Sequence, residues 1–467
     1  MATRKYTIDV LDDAGQEVKR VFTAQPKVGE SPVSAELAAV LDAAFRPVPA
    51  PAPTPAPEPG TVTPPPPVSP PIVTPPVVVL PPPVVVPPRP AGIHVSQGDN
   101  WAEAVRSAKP GDTVWLAAGG VWTTQLADTA LRLKGVTIAA YGDGPAPLIT
   151  VNKGSALTLW RAIELVINGI RFSARQPTAQ GVRLLGCEVT VLNGCEITGF
   201  TIGLAAEAFG ANRGKALNMV NCDVHDNYSQ TGDDSHGVYV DACDGIQVRG
   251  GRYHHNGWRE SQPAGASRMR NHNLYITGES RQLSVTEARI SAACSHGLQA
   301  RCGGQIVGNQ FIDNPIHMSF GLVNGAGPIV PGGVTGKITR NLFLGERPLG
   351  SDVGVIERRG WAIEASNVKE AEISGNVFAN NGPANPQASQ AAIKLDLCRL
   401  TGKDASTPHP QAKQVIKIGK LAIFENSCTW PSNAPGGPVW VGAACDELRQ
   451  QSSWPAVDVA AVRASVR

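Results

Sequence analysis

The sequence has no long apolar run. Among its 467 residues no stretch approaches the ~20 that a membrane-spanning helix needs, so membrane insertion is not expected. It has no excess of charge: 41 Lys and Arg stand against 39 Asp and Glu. A net charge of +2 with both signs mixed gives no electrostatic case for nucleic acid or an anionic membrane. It has no paired C-x-x-C spacing. Its nine cysteines are an odd, scattered set, which argues against zinc, and no metal or cofactor is expected. The opening MATRKYTIDVLDDAG has no apolar h-region and no cleavage site, so no ordinary secretory signal is expected there.

What the sequence does have is a ragged repeat. A short phrase, apolar-x-polar-or-small followed by an apolar or aromatic residue, recurs from about residue 165. It reads VINGIRF, VLNGCEI, NMVNCDV, QVRGGRY, SVTEARI, IVGNQFI, ITRNLFL and ISGNVFA. Self-similarity at periods of ~20–50 residues means stacked repeats. The phrase is too short and too alternating for a helical repeat, so each copy reads as one strand of a parallel β-helix coil. The fold class expected is all-β, a right-handed single-stranded parallel β-helix of roughly ten coils. Asn309, Asn341 and Asn376 fall at one repeat position and read as an inward amide ladder; Asn227, Asn256, Asn314 and Asn381 suit tight turns. Cys195 and Cys222 are also equivalent and read as stacked core thiols, although adjacent coils lie within disulfide reach.

Three zones precede and follow the coils. Residues 1–46 read as a small α+β unit for attachment or oligomerisation: a hairpin turning at Asp13-Ala14-Gly15, then a helix within SPVSAELAAVLDAAF. Residues 47–90 hold 21 prolines and read as a stiff stalk whose bare valine runs suit packing against sister chains or a docking surface. Residues 91–430 are the expected β-helix domain, and 431–467 a C-terminal tail. Asn100-Trp101-Ala102-Glu103 fits a capping box for a helix ending near Ala108, before Lys109-Pro110-Gly111. That helix would cover the apolar end of the stack.

The helix followed by PGDTVWL, then VTIAAYGDGPAPLITV, resembles the N-terminal cap and first coils of the pectate-lyase-like superfamily of right-handed parallel β-helices. The resemblance covers residues 92–430. It implies the fold; the superfamily includes lyases, hydrolases, epimerases and non-catalytic binders, so no single reaction follows from it.

A second phrase lies between the first: SHGVYVDA, NHNLYITG, SHGLQARC, PIHMSFG, WAIEASN and AAIKLDL. Aligning Val238, Leu274, Leu298, Ile316, Ile363 and Ile393 as inward residues puts His236, His272 and His296 at one position. Tyr239, Tyr275, Gln299, His317, Glu364 and Lys394 then follow, and Asp241, Thr277, Arg301, Ser319, Ser366 and Asp396 come two residues later. Alternation sends these last two columns to solvent on one face. Tyr239 and Tyr275 suit sugar rings; Gln299, Arg301, Asp241, Glu364 and His317 suit hydroxyls and carboxylates. The long insertion 254–271 adds Trp258, Arg259 and Glu260 as a ligand wall. Asp233, Asp234, Glu260 and Asp241 are the candidate catalytic acids, because glycoside hydrolysis uses two carboxyl groups across a groove. A β-elimination lyase would instead need a base and a cation facing a uronate. His236, His272 and His296 either ladder within the coils or line a glycan site; a metal set is disfavoured because stacked coils spread ligands by ~4.8 Å.

The layout of small N-terminal unit, stalk, β-helix and short tail resembles a bacteriophage tailspike or virion fibre. That resemblance implies a homotrimer, attached to the virion tail or another particle protein through residues 1–90. It implies binding, and cleavage, of a bacterial surface polysaccharide. The alternatives are a free extracellular bacterial polysaccharide lyase or hydrolase and a non-catalytic structural fibre or adhesin.

Overall fold

The computed structural model describes residues 4–11, 17–24 and 91–466, apart from 124, 128–132, 178, 232, 260–268, 322–329, 348–358, 383–389, 397–417, 433, 435–436 and 443–444. The chain divides into two units, residues 1–82 and 83–467. In the first, Arg4–Leu11 and Glu17–Ala24 pair antiparallel, with Arg4 opposite Ala24 and Leu11 opposite Glu17. This is the expected hairpin. Its turn, the expected helix and the proline-rich stretch lie outside the described residues.

The second unit is a right-handed parallel β-helix. Each full coil contributes one strand to each of three parallel sheets, and the first of these has one further strand at either end. Sheet I has 13 strands, from Ile93–Val95 to Cys445–Gln450; sheets II and III have 11 each. Sheet II runs from Val121–Trp122 to Ser427–Thr429, and sheet III from Leu126–Ala127 to Val439–Val441. The winding therefore continues past residue 430.

The corner between sheets I and II sets the register. In successive coils it is turned by Gly169, Gly194, Asn221, Gly250, Glu287, Gly308, Arg340, Gly375 and Glu425, with φ between +49° and +68°. Five of these left-handed positions are filled by glycine, which lacks the Cβ that clashes there. The next residue points inward. It is Ile170, Cys195, Cys222 and Ala288 in four of the early coils, and Asn309, Asn341, Asn376 and Asn426 in the later ones, all buried. The asparagines form the expected ladder: Asn309 Nδ2 donates to Asn341 Oδ1 at 2.9 Å, Asn341 to Asn376 at 3.0 Å, and Asn376 to Asn426 at 3.0 Å. Each amide also accepts from the backbone of the preceding coil, as Asn309 N to Asn341 Oδ1 at 2.9 Å, so buried corner donors are satisfied. Cys195 and Cys222 are free thiols whose Sγ atoms lie 3.4 Å from the carbonyls of Ile167 and Leu192. Cys187, Cys243, Cys302 and Cys428 are free thiols as well. Phe311, Phe343 and Phe378 stack inside the helix at 5.0 Å per step.

Helix α1, Trp101–Ser107, caps the first coils and buries Trp101, Ala102 and Val105. Asn100 accepts from Glu103 N at 3.2 Å, as the capping box requires, but the Glu103 carboxylate turns to Arg106, 3.4 Å away, instead of reaching back. After Gln450 the chain folds back along sheet II. Helix α2, Val459–Ser465, packs Val459 among Ile312, Leu344 and Ala379, and Arg463 clasps Asp313 through two 2.9 Å bonds.

Asn341→Ala should cost about 1–3 kcal/mol, because it strands a corner donor of the neighbouring coil inside the core. Asn193→Ala, whose amide donates to Asn168 at 2.9 Å at the surface, should stay within about 0.5 kcal/mol. Denaturant unfolding of the two variants checks this; equal stability would show that the ladder carries no weight.

Candidate functional site

Sheet III gathers most of the residues that the sequence placed in columns. His236 pairs in register with His272, and Tyr239 with Tyr275; Tyr275 then pairs with Gln299. The rings meet across coils. Tyr239 and Tyr275 lie edge to face at 5.4 Å, His236 stacks on His272 at 5.3 Å, and His272 meets His296 at 4.9 Å. His236 also contacts Tyr239 at 5.7 Å and Tyr275 at 5.2 Å. Arg301 is held over the Tyr275 ring at 5.1 Å, and its Nε donates to Gln299 Oε1 at 2.9 Å. Asp241 Oδ1 accepts from Thr277 at 2.6 Å.

Burial divides this set. Tyr239, Tyr275, Arg301 and Asp241 are half-buried and form an amphipathic strip. The three histidines lie beneath it and are buried. Their Nδ1 atoms serve the ladder: His272 N donates to His236 and His296 N to His272, at 3.3 and 3.4 Å. Desolvation pushes His236 and His296 down to about 3, with Arg301 adding to the shift in both. Desolvation also pulls His272 well below the ordinary histidine range. Burial raises Tyr239 and Tyr275, and Asp241 adds to both shifts.

Two expectations are corrected by the register. Ser319, not His317, follows Gln299 in the column, and Glu364 and Lys394 follow Ser319. Residues 313–315 join the two strands here, where 292–295 do so in the coil before, and Ile316 pairs with His296 and Met318 with Leu298, two residues away from the alignment read from sequence. His317 is consequently interior, against Phe343 and Trp430, with Nε2 2.7 Å from the Gly345 carbonyl; burial takes it down to about 4. The later column is not solvent-facing either: Gln299, Ser319, Glu364 and Lys394 are buried. Lys394 lies between Asp396 at 2.7 Å and Glu364 at 3.5 Å and over the Trp361 ring at 4.0 Å. Burial raises the Glu364 pKa against the pull of Lys394.

The acids sit at the bend that leads into sheet III. Asp233 Oδ2 accepts from Thr231 at 2.5 Å, and with Gln180, Thr201 and Thr231 it lines a cleft of about 370 Å³. Asp234, half-exposed, pairs with Arg270 at 3.0 Å. Glu260 lies outside the described residues.

Trp258 and Arg259 go elsewhere, to the outer corner between sheets II and III. Trp258 Nε1 donates to Ala292 O at 2.9 Å, and Arg347 covers its ring at 3.7 Å. Arg259 Nη1 donates to Tyr228 OH at 2.6 Å. Here the structure adds a cluster that the sequence reading passed over. His225 Nδ1 lies 2.7 Å from Asp226 Oδ2, and His255 Nδ1 contacts the other oxygen of the same carboxylate. His254 stacks on His225 at 5.0 Å and lies 3.2 Å from Asp223. Burial works against charge on Asp226, yet the two imidazoles hold its pKa below the ordinary carboxylate range. Burial likewise opposes protonation of His225, and Asp226, Asp223 and Glu196 outweigh it, raising its pKa. A signal for this cluster exists in the repeat: Asp226 and His255 immediately precede the corner asparagines Asn227 and Asn256, and both take φ above +50°. These two asparagines extend the corner chemistry, Asn227 donating to Asn256 at 2.8 Å and Asn256 to Asn273 at 2.9 Å.

No protein-family model matches the chain. No curated protein matches it. An alginate lyase from Paenibacillus sp. str. FPU-7 is similar over 77% of this chain and 99% of its own, at 13% identity and a TM-score of 0.39. The A-module of a mannuronan C-5 epimerase from Azotobacter vinelandii is similar over 76% of this chain and 95% of its own, at 13% identity and a TM-score of 0.32. At these values no residue role passes from either protein to this chain.

The buried histidines set a pH dependence. Free histidine titrates near ~6.5, whereas His236 and His296 titrate at about 3 in the folded chain. Between those values the unfolded chain binds protons that the folded one refuses. Their contribution is therefore full above pH ~6.5 and declines as pH falls, by about 2 kcal/mol per histidine at pH ~5. His296→Gln should shrink the drop in Tm between pH 7 and pH 5 relative to the parent; an unchanged drop would mean that His296 titrates normally.

Proposed function

We propose that this protein binds an extended bacterial surface polysaccharide along sheet III and cleaves it at the adjoining acidic bend. The observation that carries the reading is the half-buried strip of Tyr239, Tyr275, Arg301 and Asp241, repeated from coil to coil and backed by buried rings. Sugar rings offer an apolar face and a hydroxyl edge, and the strip supplies aromatic surface beside a cation and a carboxylate. The strip is positioned by backbone ladders, so it needs little ordering when a polymer arrives.

Cleavage is assigned to the carboxylates beside the strip, Asp233 and Asp234; Glu260, outside the described residues, stays a candidate from the sequence alone. Asp234 is half-exposed, and Asp233 lines the neighbouring cleft. Two such groups about 5 Å apart retain anomeric configuration, and about 6.5–9.5 Å apart invert it. The finer setting, a virion fibre assembled as a homotrimer and attached through residues 1–90, is supported by the order hairpin, proline-rich stretch and coil stack. Co-purification with intact particles and sedimentation as a trimer are the results expected of it; a free monomer in the culture medium would remove it.

Candidate host polysaccharides treated with the full chain test the central reading. Tyr239→Ala and Tyr275→Ala should each weaken binding roughly tenfold, about 1.4 kcal/mol. Asp234→Asn should leave binding in place and abolish new reducing ends. Binding that ignores both tyrosine changes would move the site off this face, and unsaturated-uronate absorbance among the products would replace hydrolysis by elimination.

A further inference from the structure

We propose that the outer corner between sheets II and III is a second carbohydrate site, built for a sugar that carries an anionic oxygen group. A cleft of about 480 Å³ opens there, lined by Arg175, Pro177, Asp226, Tyr228, His255 and Arg259. It shares Pro177 with the cleft at Asp233, so the two adjoin around the bend. The cleft is separate from the tyrosine strip, and the glycan part of the proposal rests on the polysaccharide reading above.

Charge decides the ligand class. Two guanidinium groups line the cleft, Arg175 from the end of one sheet II strand and Arg259 from the corner three coils on; both residues are exposed. The acid in the wall, Asp226, keeps its charge, but each of its oxygens is engaged by an imidazole, His225 on one side and His255 on the other, which turns it toward the histidines and leaves the two arginines as the groups for an incoming anion. Arg259 is pre-oriented: it donates to Tyr228 OH at 2.6 Å while its guanidinium lies 5.2 Å from the Tyr228 ring centroid. A planar fork held in this way suits the paired oxygens of a carboxylate or phosphate. The neighbouring Thr198 and Ser173 of sheet II line the same cleft and suit sugar hydroxyls.

Titration calorimetry on the full chain tests this with a glucuronate-bearing hexasaccharide, its carboxyl-reduced form, a phosphorylated neutral hexasaccharide and inorganic phosphate. At least one charged hexasaccharide should bind tenfold or more tightly than the reduced form, and the better of the two identifies the group. Arg259→Ala and Arg175→Ala should each erase that advantage while leaving the neutral affinity unchanged, and Arg259→Lys should restore part of it. Equal binding of charged and reduced forms, or an advantage that survives both arginine changes, would overturn the proposal. So would inorganic phosphate competing as well as the phosphorylated sugar, which would make the cleft a plain anion site. Tyr275→Ala separates the two readings: if it leaves every affinity unchanged while the arginine effect persists, the sheet III strip fails and the corner site stands.

Discussion

The structure depends on one constraint: at every corner a backbone turned into the left-handed region leaves donors that face the interior of a cylinder without water. Each such donor needs an acceptor from a neighbouring coil. The amides of Asn309, Asn341, Asn376 and Asn426 provide it in the later half, each accepting from the coil before and donating to the coil after. Where no asparagine occupies the corner, Ile170, Cys195, Cys222 and Ala288 keep the inward position small or apolar, and the coils follow the same register. Neighbouring coils are locked corner to corner, so outward residues line up whether or not they touch one another. The candidate sites are consequences of that alignment.

This is why the fold was readable and the site only partly so. The eight short phrases repeat because a corner, an inward residue and a strand recur, and those requirements are local. The columns of sheet III are legible where the strand phrase carries its own register mark, a histidine two residues before the inward Val238, Leu274 or Leu298, although the connections before these strands differ widely in length. They hold from Tyr239 through Tyr275 to Gln299, and slip by two residues at His317, where that mark is missing and Ile316 stands in the place of His296. Alternation also failed as a guide to exposure beyond Gln299, because which outward residues are covered depends on what packs above the sheet, and strand periodicity carries no trace of that. The histidine and aspartate cluster at Asp226 was hidden for another reason. Asp226 and His255 sit at corner positions, each followed by a buried asparagine, while His225 and His254 end the sheet II strands before them, so no single strand phrase contains the set.

The two faces solve different electrostatic problems. Beneath sheet III the rings of His236, His272 and His296 are kept neutral by burial, so the strip above them presents aromatic surface with Arg301 and Asp241 as its charges. Such a surface tolerates many sugars and favours length. At the outer corner the reverse holds. Asp226 stays charged, His225 is drawn toward its protonated form, and the carboxylates of Asp223 and Glu196 stand behind them. A compensated network of this kind is stable only while its partners are present, so it fixes geometry more than it adds stability.

That contrast bears on why a single cylinder can carry both. In a stack of coils each residue depends mainly on its own coil and the next, so outward chemistry on one sheet can change without disturbing another. The interior enforces the separation. His296 Nε2 is buried without a hydrogen-bond partner among the described residues, a cost of the order of 1–3 kcal/mol that the surrounding ladders must offset. A ring retained at that cost, in edge contact with His272 and through it with Tyr275, is better explained by the surface it supports than by the stability of its coil.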